Sequence, residues 1–148
     1  MTRRNVWLGL VSVLIGPLVG SLTFIAITLI TDVVFFGTQP SSNLLLREWP
    51  VVLTSGYVFG FAPGLGFAAA MALVSRKLPT LAQRLVAAPV VGALLSIAIL
   101  SVILFGQSLG GLDLDMLLIL AITGAVAGLV SLAIVEPFHP LPTPAPEP

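Results

Sequence analysis

The chain has 148 residues, of which 57% are hydrophobic and 8% charged, and its mean hydropathy is +1.14. Since soluble domains carry about a quarter of charged residues, this composition excludes a water-exposed globular surface. Six basic and six acidic residues leave no net charge, which excludes a basic nucleic-acid footprint, and the lack of cysteine excludes disulfides, iron–sulfur clusters and cysteine nucleophiles.

Four apolar stretches are each long enough to cross a membrane, which takes about 20 residues. They cover roughly Val6–Thr31, Val51–Val74, Leu85–Phe105 and Leu114–Val135. The sequence therefore predicts an all-α, polytopic protein of the lipid bilayer, with a four-helix transmembrane domain over residues 1–136. The first stretch is about twice as long as the apolar core of a signal peptide, so we expect it to stay in the protein.

Basic residues are distributed unevenly between the two sides that alternating spans define. Five of them fall on one side: Arg3, Arg4, Arg76, Lys77 and Arg84. Only Arg47 falls on the other. Because cytoplasmic loops carry the excess of Lys and Arg, we expect both termini in the cytoplasm and the chain in a bacterial inner membrane.

Local patterns indicate where the third and fourth spans begin and end. Thr80-Leu81-Ala82-Gln83 has the spacing of a capping box directly before the third span. Asp113 or Asp115 is placed to cap the fourth helix, and Pro137 is expected to end it.

Two segments are predicted to lie outside the spans. Gly37–Trp49 is the longest connection and is expected to be an outer loop, with Leu44-Leu45-Leu46 along the membrane surface. Six prolines fall in the tail 137–148, which predicts an extended, disordered cytoplasmic arm. A docking peptide is the alternative for this tail.

Small residues recur at every fourth position in the spans. This spacing lays them along one side of a helix, where a second backbone packs closely. Lipid supplies no hydrophobic drive between helices, so such close contacts hold membrane helices together. The predicted helix-packing residues are Gly16, Gly20, Gly56, Gly60, Gly64, Ala68, Ala72, Gly92, Gly124 and Gly128.

The two halves of the chain are similar to each other. A shift of 72 residues aligns Gly16–Ile27 with Ala88–Ile99, with seven of the twelve pairs identical. A shift of 68 residues aligns two glycines of the second span with two of the fourth: Gly56 and Gly60 with Gly124 and Gly128. The sequence therefore predicts two tandem helical hairpins inserted in the same direction, with chance similarity in an apolar alphabet as the alternative.

Ionisable residues are absent from the centres of the spans. Asp32 and Glu136 fall at span ends and are interpreted as interfacial, with Arg47 as the nearest partner for Asp32. The lone His139 lies in the tail. The sequence accordingly predicts no catalytic residue, no metal site and no cofactor.

Three of the spans contain a proline, and polar residues lie in the spans or, in the case of Gln107, just beyond one. Pro17, Pro63 and Pro89 are expected to kink their helices. Five polar residues either line a pore or, as we expect, bond to helix backbones and neighbouring spans: Thr54, Ser55, Tyr57, Gln107 and Thr123.

Two functions fit these patterns. The first is a non-catalytic structural or accessory protein that packs through its small-residue helix faces, with itself as a homo-oligomer or with a larger membrane complex. The second is a small transporter or channel-like protein for a neutral or lipid-like substrate. The sequence favours the first, because contact-making residues are abundant and reactive residues are scarce.

Overall fold

The computed structural model describes residues 3–36, 42–105 and 113–138. The described chain forms five helices: α1 (Arg3–Leu14), α2 (Gly16–Phe36), α3 (Ser42–Val74), α4 (Leu81–Phe105) and α5 (Leu114–Val135). Four helical segments are long and apolar enough to cross a membrane, with α1 and α2 together forming the first. The prediction of an all-α chain with four membrane-length helices is therefore confirmed. We call them span 1 (α1 with α2), span 2 (α3), span 3 (α4) and span 4 (α5).

Span 1 is interrupted at Ile15, two residues before Pro17. Proline has no N–H, and its ring crowds the carbonyl four residues earlier, here that of Val13. The helix nevertheless continues across the break, because the N–H of Ile15 donates to the Val11 carbonyl (2.8 Å) and that of Val19 to the Ile15 carbonyl (2.9 Å). The interruption is thus local to the proline.

Three further prolines lie inside helices that continue without interruption: Pro50 and Pro63 in α3 and Pro89 in α4. Membrane helices tolerate proline because side-chain hydroxyls, neighbouring helices and small readjustments satisfy the freed backbone groups. Of the three predicted kink sites, only Pro17 coincides with a break in the helix.

The connection between spans 1 and 2 is shorter than the sequence predicts. Helix α3 begins at Ser42, so the expectation of a loop over Gly37–Trp49 is wrong for residues 42–49. The predicted span starts at Val51, directly after Pro50, but the Leu-Leu-Leu-Arg-Glu run at 44–48 consists of strong helix formers, and the helix runs through it into the span. Residues 37–41 lie outside the described part of the chain.

The predicted capping box at the start of span 3 is confirmed. The backbone N–H of Gln83 donates to the Thr80 hydroxyl (3.3 Å), and the backbone N–H of Thr80 donates to Oε1 of Gln83 (3.4 Å). At the start of span 4, Asp113 occupies the N-cap position in an extended conformation, but its carboxylate makes no capping hydrogen bond. The predicted position of the cap is therefore confirmed for Asp113, without its side-chain hydrogen bond, and Asp115 lies in the first turn, where negative charge meets the positive end of the helix dipole.

The spans follow one another around the bundle. Span 1 contacts spans 2 and 4, span 2 also contacts span 3, and spans 3 and 4 make the most extensive contact. The buried apolar side chains gather at the end of the bundle that holds the start of span 1 and the end of span 4: Leu8, Val11, Phe67, Met71, Ala88, Leu132 and Val135. We call this the closed end.

The internal alignment places Gly56 and Gly124 at the same position, but the two glycines contact residues at different aligned positions. Gly56 faces Pro17 and Ser21 of span 1, whose aligned positions in span 3 are 89 and 93. Gly124 instead faces Gly92 and Ser96, three residues further along. Gly56 and Gly124 each contact the span that precedes their own in the chain. The arrangement of the spans as two tandem hairpins inserted in the same direction stays a prediction.

Candidate functional site

Three glycines of span 2 lie directly against span 1. A Cβ added at Gly60 would lie 2.9 Å from the Cβ of Pro17, and one added at Gly64 would lie 2.8 Å from the carbonyl oxygen of Ser12. A Cβ at Gly56 would collide with the hydroxyl of Ser21. Span 2 can approach span 1 this closely only because these positions carry no side chain.

Spans 3 and 4 meet even more closely. A Cβ at Gly92 would collide with the carbonyl oxygen of Gly124, and a Cβ at Gly124 with that of Gly92. One at Gly128 would lie 2.9 Å from both the Ala88 carbonyl oxygen and the Phe67 ring. Here backbone lies on backbone, so no side-chain rotation could make room for a larger residue.

The remaining predicted packing residues have looser surroundings. A Cβ at Gly16 would lie 3.7 Å from the Ser131 hydroxyl, and one at Gly20 would lie 3.4 Å from Cγ2 of Thr123, which are ordinary contacts. Ala68 and Ala72 are half-buried. The structure thus brings the glycines of spans 2, 3 and 4 into the tightest contacts.

A cavity of about 420 Å³ lies between the four spans. All eight glycines of the predicted packing set line it, whereas the two alanines do not. Six hydroxyl-bearing residues also line it: Ser12, Ser21, Ser55, Ser96, Thr123 and Ser131. Apolar side chains such as Phe24, Phe59 and Leu120 complete the wall, and none of the described residues that line it is charged.

The cavity is long and narrow. Its wall extends from Ser12 to Phe24 in span 1 and from Met116 to Ser131 in span 4, which at 1.5 Å per residue is about 18 and 22 Å. Such a space fits a slender molecule better than a bulky one.

The wall residues at the two ends of the cavity differ in exposure. Phe24 and Val51 line it and are 41% and 59% exposed, whereas Ser12 and Phe67 at its other end are 1% and 3% exposed. Phe67 extends from span 2 to Gly128 of span 4 and forms part of the floor. Below this floor lies the apolar cluster of the closed end.

Several hydroxyl groups in the spans bond to their own helix. Ser21 donates to the Pro17 carbonyl (2.8 Å), and Thr23, Thr28 and Thr54 also donate to carbonyls four residues earlier. Ser12 and Thr123 differ, because their buried hydroxyl oxygens have no hydrogen-bond partner within the described chain. Both belong to the cavity wall.

Tyr57 links two spans at the proline break. Its hydroxyl donates to the carbonyl of Leu14 at 2.8 Å, next to the interruption at Ile15. The expectation that polar residues bond to neighbouring helices is confirmed for Tyr57, and Thr54 bonds to its own helix. Ser55 and Thr123, in contrast, line the cavity. Gln107 lies outside the described residues.

A buried ion pair lies at the closed end, and sequence reasoning missed it. Nη1 of Arg84, in the first turn of span 3, lies 2.8 Å from Oε1 of Glu136, at the C-cap of span 4. Both side chains are 6% exposed, so Glu136 lies at the end of its span, where the sequence places it, but is buried against Arg84. The contact is an ion pair and lacks the alignment of a hydrogen bond. The sequence does contain one signal for this pair, because Arg84 at the start of span 3 and Glu136 at the end of span 4 carry opposite charges.

Some predicted features fall outside what the structure describes. The proposed partners Asp32 and Arg47 lie in α2 and α3, but their side chains are not among those described. The segment Leu44-Leu45-Leu46 is helical, with side chains likewise outside the description. His139 and the rest of the tail from residue 139 lie outside the described chain.

Comparisons of the chain with protein-family models, with curated proteins and with solved structures found no match.

Proposed function

We propose that this protein is a small, non-catalytic membrane protein that binds a neutral, lipid-like molecule between its spans and acts as its transporter or channel. The cavity is the observation that carries this proposal. Ligand sites are typically concave, mostly apolar spaces of about 300–1,000 Å³ with a few polar groups. A volume of about 420 Å³ falls within that range, and its glycine, hydroxyl and apolar wall suits an uncharged ligand.

In this proposal both termini lie in the cytoplasm of a bacterium, and the spans form two tandem hairpins in its inner membrane. The distribution of basic residues supports this orientation, because five of six fall on the side of the termini. The closed end then faces the cytoplasm, and the ligand enters from the outer half of the membrane.

A pair of matched variants tests the proposal. Ala127 lines the cavity, whereas Ala133 of the same helix is exposed on the outside of the bundle. We expect Ala127→Phe to fill part of the cavity and to remove a neutral molecule that copurifies with the wild type. Ala133→Phe should retain it. Mass spectrometry of organic extracts from protein purified in mild detergent measures the bound molecule.

The same proteins in liposomes test transport. We expect flux of the identified molecule with the wild type and Ala133→Phe, and at least tenfold less with Ala127→Phe. Flux that equals that of protein-free vesicles would contradict a transport role, and equal ligand content in the two variants would contradict the site.

A structural or accessory role is the second candidate. Gly9 favours it, because a Cβ added there would meet nothing within 4 Å and this side of α1 can accept another helix. The tight glycine contacts of spans 2, 3 and 4, however, lie inside the bundle. If this role is correct, gentle extraction should yield a partner protein, or a second copy, at fixed stoichiometry. Gly9→Leu should release it, whereas isolation as a monomer would argue against it.

A further inference from the structure

We infer that the ligand of the cavity is a slender, neutral molecule that carries an uncharged hydrogen-bond acceptor, a hydroxyl or carbonyl oxygen, and that this group binds at one of two positions, the hydroxyl of Ser12 or that of Thr123. The inference rests on the proposed function and specifies its substrate class. It distinguishes an alcohol- or ketone-type chain from a plain hydrocarbon.

The first argument comes from the hydroxyls of the same helices. In lipid, a Ser or Thr hydroxyl ordinarily bonds to the carbonyl one turn earlier, as Ser21 and Thr23 do here. Ser12 and Thr123 make no such bond, although their oxygens are buried and Ser12 is only 1% exposed. A buried hydroxyl without a partner bears the full penalty of its lost water. Both line the cavity, so an oxygen atom of a ligand inside it can supply the missing partner to the hydroxyl that it reaches.

The second argument is geometric. Ser12 lies at the deep end of the cavity, and Thr123 lies beside Gly20, eight residues further along span 1 and so about 12 Å higher. Each oxygen is covered in the present arrangement, so binding requires that the side chain rotate about its Cα–Cβ bond to a staggered position that faces the cavity. The two hydroxyls thus offer hydrogen bonds at two depths along one narrow path.

The third argument concerns charge. A cavity without charged side chains among its described residues offers no compensation for an ionised ligand, whose transfer from water is far more costly than that of a hydroxyl. A fatty acid anion is therefore disfavoured relative to the matching alcohol. A chain that ends in a hydroxyl fits the uncharged wall and gives one of the two unpaired hydroxyls a partner.

The test compares dodecanol with dodecane, each carrying a photoreactive diazirine at the same carbon. The full-length protein in nanodiscs is irradiated over a range of probe concentrations, and labelled peptides are mapped by mass spectrometry. We expect the alcohol to label cavity peptides half-maximally at a concentration about threefold to tenfold below that of the alkane, the range that one net hydrogen bond provides.

Three variants locate the effect. Ser12→Ala combined with Thr123→Val removes both unpaired hydroxyls with little change in volume. In this double variant the concentration of alcohol for half-maximal labelling should rise to that of the alkane. Ser21→Ala is the matched control, because Ser21 lines the cavity but already donates to Pro17. It should keep the wild-type preference.

The outcomes separate this inference from the proposed function. Equal labelling of cavity peptides by alcohol and alkane in the wild type would overturn the inference and leave the binding role in place. A preference for the alcohol that survives in the double variant would overturn it as well. If neither probe labels cavity peptides, the inference and the proposed function both fail.

Discussion

Replacement of Gly124 by Ala is expected to destabilise the protein by about 3 kcal/mol, at the upper end of what overpacking usually costs. The added Cβ would collide with the carbonyl oxygen of Gly92 and with Cβ of Ser96. Neither atom belongs to a flexible side-chain end, so span 4 must move away from span 3 as a whole. Thermal unfolding in one detergent, followed by circular dichroism, measures the loss.

Gly9→Ala provides the control for that substitution. It makes the same chemical change in a helix, but the new Cβ meets nothing within 4 Å. Alanine favours a helix over glycine by about 1 kcal/mol, so this variant should unfold at the same temperature as the wild type or slightly above it. Equal melting temperatures for Gly124→Ala and Gly9→Ala would show that the close approach of spans 3 and 4 contributes nothing to stability.

Removal of one member of the buried ion pair should have an effect of similar or larger size. Glu136→Ala leaves the guanidinium of Arg84 buried without its carboxylate, and the loss of one partner from a buried pair costs about 3–5 kcal/mol. Arg76→Ala removes an exposed arginine from the connection between α3 and α4 and should change stability little. Melting temperatures of the purified variants compare the two.

A double replacement separates the charge from the contact. In Arg84→Met with Glu136→Leu, neither charge is buried, and apolar replacements of a buried pair are often neutral or stabilising. We expect this variant to recover most of the stability that Glu136→Ala loses. If the double variant is as unstable as the single one, the loss arises from other contacts of Glu136 and not from an unpaired charge.

The sequence predicts the features that depend on local pattern. The length and apolarity of each span identify its helix, and the Thr80–Gln83 capping box follows from residue types at a fixed spacing. Helix α3 shows where a local rule fails. Pro50 indicates a boundary, but the helix formers before it and the hydroxyl of Thr54, which donates to the Pro50 carbonyl, are compatible with a continuous helix.

The features of the site depend on how the helices meet, and the sequence does not specify that. Arg84 and Glu136 are far apart in the chain, and their pairing requires that the first turn of span 3 and the last turn of span 4 lie side by side. The cavity arises for a similar reason. Glycine spacing predicts close packing, but whether a row of glycines touches a backbone or borders an open space depends on how each helix is rotated.

The glycines of spans 2, 3 and 4 both touch a neighbouring backbone and border the cavity. The width of the cavity consequently depends on the distance between the helices that form it. A larger residue at one of these positions cannot narrow the cavity without also moving two helices apart. Under the proposed function, adaptation to a thicker or thinner ligand must therefore occur at wall positions outside the glycine rows, of which Ala127 and Leu120 are examples.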